Sequence, residues 1–389
     1  MEQFLFQNVN IIFPTGIRSG EVLTENGRIA QIAVDRKIMT GARKIDEKGM
    51  YLSPGFIDIH THGGGGADFM DGDTESIRTA CRMHRNHGTT SIIPTTLTST
   101  RDSLFDCLKL FNQVDCQEPQ MPEILGLHLE GPYFSYEQRG AQSPENLRNP
   151  MPEEYEKALE LTDRICRWSF AVELDGAEEF LHFLRAKGIV ASLAHSDASC
   201  GQVMRAYDNG LQAMTHFYSG MSGVRREHAY RVAGAVEAGY LLDDLFVEVI
   251  ADGCHLPGEL LQLIYKVKGA DRICLVTDSM RGAGMPDGEY VLGGKDSGMP
   301  TIVEDGVAKL PDRTAFAGSV ATMDRLVRTM KELTAAPLDQ VINMASLSPA
   351  RLMGVDDRKG SICVGKDADL LLLDEKLQVQ LVMVRGQLV

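Results

Sequence analysis

Basic residues are in short supply. The 389 residues include 39 Lys and Arg against 54 Asp and Glu, a formal net charge of −15. A surface of that sign excludes nucleic acid as the partner, because phosphate backbones require a basic face. It leaves room for a small phosphorylated ligand, which needs only one or two local cations. No apolar run approaches the roughly 20 residues that cross a bilayer, which excludes a membrane-spanning helix. The opening stretch Met1-Glu2-Gln3-Phe4-Leu5-Phe6-Gln7 lacks a basic segment followed by an apolar core and is not read as a signal peptide. The eight cysteines form no CxxC pair and have no regular spacing. They read as reduced core residues of a cytoplasmic protein, with Cys254 set apart because it falls near the candidate site. There is no low-complexity segment. The apolar share, 43%, is ordinary for a soluble globular chain of one large domain or two smaller ones.

What is present is an alternation of strands and helices between two β-rich ends. Residues 1–53 contain strand-like runs such as Asn10-Ile11-Ile12-Phe13 and Arg28-Ile29-Ala30-Gln31-Ile32-Ala33. Residues 355–389 contain Leu370-Leu371-Leu372-Leu373 and Val379-Gln380-Leu381-Val382-Met383-Val384. Neither end has enough strands to bury a sheet face alone, so the two are expected to pair into one small β-sandwich. Residues 54–354 carry strand candidates near 55–60, 90–94, 124–130, 168–173, 189–195, 211–216, 246–251 and 273–278. Helical spacing separates most of them: Leu104, Cys107, Leu108 and Phe111 recur at i, i+3, i+4, i+7, and Phe180, Leu181 and Leu184 precede Gly188. Leu260, Leu261, Ile264 and Val267 run to Gly269, and Leu326, Val327, Met330 and Leu333 follow the last strand. Eight strand–helix units predict an α/β fold, a (β/α)8 TIM-type barrel.

A barrel places its chemistry at the C-terminal ends of its strands. Those ends read His60-Thr61-His62, Glu130, His195, His216 and Asp278. In a strand, residues i and i+2 point the same way, so His60 and His62 can converge on one cation. The run Gly63-Gly64-Gly65-Gly66 is read as room for metal and substrate beside the backbone. His, Glu and Asp are the ligands expected of a borderline hydrolytic metal such as Zn or Fe. Each residue alone is as readily a hydrogen-bonded structural group; five ligands and a spare carboxylate at one rim are not. His128, two before Glu130, shares its face and is expected just beneath the site. His84, His87, His182 and His228 fall on helices or loops and read as surface or packing residues.

These residues sit in runs that resemble the amidohydrolase superfamily and, within it, the N-acetylglucosamine-6-phosphate deacetylases, essentially end to end. The most specific are Pro54-Gly55-Phe56-Ile57-Asp58-Ile59-His60-Thr61-His62-Gly63-Gly64, His128-Leu129-Glu130-Gly131-Pro132-Tyr133 and Ala194-His195-Ser196-Asp197-Ala198. Further ones are Asp252-Gly253-Cys254-His255, Val276-Thr277-Asp278, Asp287-Gly288-Glu289-Tyr290, Phe316-Ala317-Gly318-Ser319 and the return Gly360 to Leu370. The resemblance implies a metal-dependent hydrolase that releases acetate from a small phosphorylated amino sugar. Glu130, His195 and His216 would hold the principal metal and His60 and His62 a second, one or two ions per subunit. Asp278 would be general base and then general acid. His255 would touch the phosphate or a ring hydroxyl, Gln142 would sit by the sugar, and Ser319 would belong to the substrate site. A homodimer is implied, with a neighbouring subunit contributing to the phosphate site.

The chain departs from the family pattern after His216. Phe217-Tyr218-Ser219-Gly220-Met221 has Ser219 and Gly220 where the family usually has Asn and Ala beside the phosphate. The next segment, Arg225-Arg226-Glu227-His228-Ala229-Tyr230-Arg231, lacks the usual Pro; Arg226 is taken as the phosphate clamp, with Arg225 and Arg231 as alternatives. The alternative substrate is therefore N-acetylgalactosamine-6-phosphate or another acylated amino sugar. A cyclic-amide hydrolase would need a lysine on strand four, and Trp168-Ser169-Phe170-Ala171-Val172-Glu173 offers none. A non-catalytic barrel would have lost ligands, and none is missing.

Overall fold

The computed structural model describes residues 2–389. Its barrel strands are β1 (Phe56–Thr61), β2 (Thr89–Thr96), β3 (Leu127–Glu130), β4 (Ile165–Phe170), β5 (Val190–Leu193), β6 (Ala213–Met214), β7 (Phe246–Val249) and β8 (Ile273–Leu275). Each pairs in parallel with the next, from β1 to β8. The seam between β8 and β1 is joined at the rim that carries Asp278. There the Asp278 amide donates to the His60 carbonyl at 2.9 Å and the Thr277 hydroxyl to the Asp58 carboxylate at 2.6 Å. Closure and site assembly are thus one event: the bonds that complete the barrel also set Asp278 beside His60 and His62.

The helices form where the apolar spacing predicts them. Leu104, Cys107, Leu108 and Phe111 are the buried face of helix Arg101–Phe111, whose first turn is capped by Thr100 accepting from the Ser103 amide at 3.3 Å. Helix Ala177–Lys187 stops at Gly188, which takes a left-handed φ of 70° that glycine alone adopts without cost. Helix Met323–Leu333 buries Leu326, Val327 and Met330. Burial of each large apolar side chain contributes about 1.5–3 kcal/mol, and this hydrophobic ring holds the barrel from outside. An antiparallel sheet of Gly288–Leu292, Met299–Glu304 and Val307–Lys309 follows β8 and covers part of the mouth. Its short strands leave little periodicity to read in the sequence.

The two chain ends do pair. Strands Tyr51–Pro54 and Leu370–Leu373 run antiparallel within a sheet of eight strands, all from the first 54 and last 20 residues of the chain. It is one continuous sheet rolled over its own core: the Ile29 amide on its edge donates to the Lys366 carbonyl and the Ala368 amide to the Gly27 carbonyl, both at 2.9 Å. Side-chain alternation explains the run of four leucines. Leu370 and Leu372 join the inner cluster with Phe4, Phe6 and Ile11, while Leu371 and Leu373 pack against the barrel. We propose that residues 1–53 with 355–389 and residues 54–354 are the two folding units.

Where the chain returns to this sheet, Lys359 is buried among three carboxylates: Glu123 at 2.9 Å, Asp367 at 3.2 Å and Asp369 at 2.5 Å. Burial would raise the Glu123 carboxyl, but Arg358 and Lys359 overcome that and hold it down to about 2. A carboxyl lowered on folding stabilises fully above its ordinary value of 4.5 and progressively less as pH falls towards about 2. Lys359→Met keeps the stem and removes the charge. It is expected to destabilise the fold by about 3–5 kcal/mol, since Asp369 stays buried without a cation while Arg358 alone is left to serve Glu123 and Asp367. Denaturant unfolding at neutral pH measures this, and the deficit should narrow in acid.

Candidate metal centre and substrate cavity

The barrel brings the predicted rim residues together. Two sets of ligand atoms, His60–His62–Glu130 and Glu130–His195–His216, each lie within 4.8 Å of one another and share Glu130. Nε2 of His60 and His62 are 3.3 Å apart, as strand parity requires. Nε2 of His195 and His216 are 3.2 Å apart, and they lie 3.3 and 3.0 Å from Glu130 Oε1. Asp278 Oδ1 stands 3.0 Å from His62 Nε2 and 3.4 Å from His60 Nε2. All six side chains are buried.

The opposite edge of every imidazole is tied down. Nδ1 of His62 meets the Thr95 carbonyl at 3.3 Å, that of His195 the Gln138 carbonyl at 2.8 Å, and that of His216 the Ser219 carbonyl at 3.1 Å. Nδ1 of His60 meets the Glu248 carboxylate at 3.0 Å. A carbonyl or carboxylate accepts only, so each Nδ1 carries the proton and each Nε2 presents a lone pair to the centre. Four lone pairs and two carboxylates then face one another at hydrogen-bonding distance, an arrangement that calls for positive charge between them. The electrostatics agree. Burial alone would lower His62, yet Asp278 and Glu130 push it up to about 9. Burial would raise Glu130, yet hydrogen bonds with His195 and His216 hold it well below the usual carboxylate range. Neutral imidazoles with carboxylate suit a divalent ion of the Zn or Fe type, so the donor set fits the implied metal.

His195, His216 and Asp278 each take a positive φ, of 44°, 30° and 47°. Non-glycine residues rarely adopt that region, and strain of this kind concentrates at functional sites. The strands end just before these residues, and the reversed backbone turns each side chain inward. Gly220, at φ 58°, lies over the His195 ring: a Cβ there would meet Nδ1 at 2.7 Å and the Gln138 carbonyl at 2.9 Å. That position therefore accepts glycine while His195 keeps its bond to Gln138.

A cavity of about 230 Å³ opens onto the centre, lined by His62, Glu130, His195, His216, Asp278, Gln142, Ser219, Gly220 and His255 among others. The Gln142 amide is engaged with the centre itself, donating to Glu130 Oε2 at 2.9 Å and accepting from the Thr98 amide at 3.1 Å. His255 is steadied by Asp252 at 2.8 Å and by the Phe316 ring. Three expectations are met differently. Ser319 is buried behind the wall, its hydroxyl donating to the Thr277 carbonyl at 2.5 Å, while Gly318 lines the cavity in its place. The Gly63–Gly66 run does not line the cavity: it folds into a small hairpin against helix Thr74–Asn86, where a Cβ on Gly64 would meet Met83 at 2.1 Å. Its glycines serve close packing rather than open space. Arg226 lies on an exposed hairpin, Arg225–Glu227 with Tyr230–Val232, and among the described residues neither Lys nor Arg lines the cavity. Arg225 on that hairpin is already paired with Asp197 and Glu227.

His128 sits beneath the site, edge-on to His60 and bonded to Ser169 at 2.6 Å. His84 is fully buried, whereas His182 and His228 are exposed and His87 pairs with Asp324. All eight cysteines are free; Cys81, Cys107 and Cys274 are core residues, but Cys363 is exposed. Cys254 adjoins His255 without lining the cavity, and burial pushes its thiol up, away from the reactive thiolate. Two residues escape sequence reasoning altogether: Glu248 on β7 and Arg167 on β4, an ion pair fully buried inside the barrel. Their signal is a charge in the middle of each of two apolar strands, Phe246-Val247-Glu248-Val249 and Ile165-Cys166-Arg167-Trp168.

Eight parallel strands with this donor set at one rim define a metal-dependent barrel hydrolase. The Amidohydrolase family model matches residues 51–389. An N-acetylgalactosamine-6-phosphate deacetylase of Escherichia coli O157:H7 is 35% identical, over 96% of this chain and 98% of that protein. An N-acetylglucosamine-6-phosphate deacetylase of Bacillus subtilis is 32% identical, over 100% and 97%. Among solved structures, a mutant N-acetyl-D-glucosamine-6-phosphate deacetylase of Mycobacterium smegmatis, in complex with N-acetyl-D-glucosamine-6-phosphate, superposes with a TM-score of 0.91 at 28% identity, covering 100% and 99% of the two chains. The Thermotoga maritima N-acetylglucosamine-6-phosphate deacetylase gives 0.86 at 32% identity, covering 99% of each. The chain belongs to the amidohydrolase family and, within it, to the N-acetylglucosamine-6-phosphate deacetylases.

Proposed function

We propose that this chain hydrolyses the acetamide of N-acetylglucosamine-6-phosphate to glucosamine-6-phosphate and acetate. The observation that carries the reading is the shared cavity in which Asp278 stands beside the His60–His62 pair and Glu130, His195 and His216 line the same space. Glu130, His195 and His216 would hold the principal ion, Zn or Fe, and His60 and His62 with Glu130 a second. When bound, such an ion polarises an amide carbonyl and acidifies water. Asp278 takes the proton of the attacking water and returns it to the amine nitrogen as the C–N bond breaks. Gln142 holds the Glu130 carboxylate in place, and His255 and Ser219 meet the sugar end.

One observation favours a second reading, the galacto epimer. Ser219 and Gly220 line the cavity where the family usually carries Asn and Ala, and the E. coli galactosamine relative is 35% identical. The absence of a cation from the lining supports completion of the phosphate site by Arg226 of a second copy, in a cytoplasmic homodimer. Amine release is to be measured on both N-acetylhexosamine 6-phosphates and their unphosphorylated forms, with Zn²⁺, Fe²⁺, Mn²⁺ and Co²⁺ in turn. The gluco reading expects the highest kcat/KM on N-acetylglucosamine-6-phosphate; a higher value on the galacto epimer replaces it. Arg226→Ala is expected to raise KM for the phosphorylated sugar by at least about tenfold, the loss of one charge-assisted contact, and to leave the unphosphorylated sugar unaffected. Equal effects would exclude Arg226 as the clamp.

A further inference from the structure

Of the four imidazoles at the centre, His60 alone has a carboxylate behind it. Glu248 Oε2 accepts from His60 Nδ1 at 3.0 Å and from the His216 main-chain amide at 3.1 Å. Its other oxygen is paired with Arg167. Both side chains are fully buried. Arg167 is fixed in turn by the Ile59 carbonyl at 3.3 Å and the hydroxyls of Ser192 and Thr215 at 3.0 Å each, so one guanidinium links β1, β4, β5, β7 and the residue that follows β6 across the barrel interior. A carboxylate this deep stays ionised only with such a partner.

We propose that Glu248, held by Arg167, is a positioning residue that makes the His60–His62 end of the centre able to bind its own ion. The proposal rests on the two-ion reading given above. Its reasoning concerns basicity and orientation. A carboxylate behind an imidazole fixes the Nδ1–H form, aims Nε2 and strengthens it as a donor more than a neutral carbonyl does. The principal ligands His195 and His216 manage with carbonyls, because two imidazoles there share the near oxygen of Glu130 at 3.3 and 3.0 Å. In the other pair His62 comes within 3.4 Å of Glu130 Oε2, but His60 stands farther from Glu130, at 3.8 Å. At the second ion His60 is therefore the ligand that depends least on Glu130 and most on its own quality as a donor. Glu248 supplies that quality to His60, while it touches the principal set only through a backbone amide, which any acceptor satisfies.

Glu248→Gln isolates this role. Its carbonyl can still accept from His60 and His216, but the charge is gone and its amide faces the Arg167 guanidinium donor to donor. The double variant Arg167→Met/Glu248→Gln removes both charges together, leaves no unpaired buried charge and keeps an acceptor for the His60 ring and the His216 amide, which keeps the test open if the single variant folds poorly. Chelator-treated wild type and variants are titrated with Zn²⁺ against a competing chelator, and ions per subunit are counted by elemental analysis. Wild type is expected to take two ions. Both variants are expected to bind the first with unchanged affinity and the second about 10–100-fold more weakly. A purely structural role would weaken both ions alike, and that result overturns the proposal. Two ions at wild-type affinity in the variants overturn it as well, with the two-ion reading intact. A wild type saturating at one ion removes the two-ion reading itself, and the proposal with it.

Discussion

Asp278→Asn is expected to keep the principal ion and lose at least about a hundredfold in turnover, the lower end of what a positioned acid–base group contributes. The geometry separates the two properties. Asp278 lies outside the Glu130–His195–His216 set and faces the His60–His62 side, 3.0 Å from His62 Nε2. Burial would raise its carboxyl, but positive charge at the His60–His62 side of the centre lowers it below the ordinary aspartate value, so it is ionised and able to accept a proton. Asparagine has the same shape and makes the same backbone bonds, the Asp278 amide to the His60 carbonyl at 2.9 Å and the Ser319 amide to the Asp278 carbonyl at 2.7 Å. It has no basic oxygen. An amine departs poorly unless protonated, so the variant fails at both proton transfers. Single-turnover amine release, with metal content measured on the same sample, reads the outcome; near-normal turnover with metal bound would remove Asp278 from the role.

The legible part of this protein is the part written in one strand at a time. His60 and His62 converge because a two-residue period is a local property. Glu130, His195, His216 and Asp278 are visible because each closes an apolar run, and eight such runs imply a barrel that puts their ends on one rim. The alternation in Leu370-Leu371-Leu372-Leu373 is equally local, and pairing with the N-terminal strands follows from the want of a partner at both ends. What escapes depends on distant neighbours. Glu248 and Arg167 are 81 residues apart, and each alone looks like an error in an apolar strand; only the closed barrel shows that they neutralise each other. Gly63–Gly66 illustrates an ambiguity of glycine, which permits either open space or close approach. The contact with Met83, from a helix the glycines do not themselves specify, decides for close approach. The hairpin bearing Arg226 is likewise legible as a basic segment, while its distance from the cavity belongs to tertiary structure.

His195→Ala should act on the other half of the centre and in the opposite order: metal first, turnover as its consequence. On the proposed reading His195 is one of the three ligand groups of the principal set, with Nε2 3.3 Å from Glu130 Oε1 and 3.2 Å from His216 Nε2. Its orientation does not depend on the metal, because Nδ1 is fastened to the Gln138 carbonyl at 2.8 Å. Alanine leaves Glu130 and His216 to bind alone, and a ligand lost outright should cost more than the roughly 10–100-fold that follows loss of an outer partner. The variant is therefore expected to give up its principal ion on dialysis against a weak chelator and to lose turnover in proportion, with excess metal restoring part of it. Substitution at the exposed His182 provides the control for histidine removal as such. The Asp278 and His195 variants are then mutually diagnostic: inactive with the principal ion retained in the first, inactive through loss of that ion in the second. Full metal retention in His195→Ala, by elemental analysis, would refute its assignment as a ligand and leave the strained backbone at that position, φ 44°, without the function it is here given.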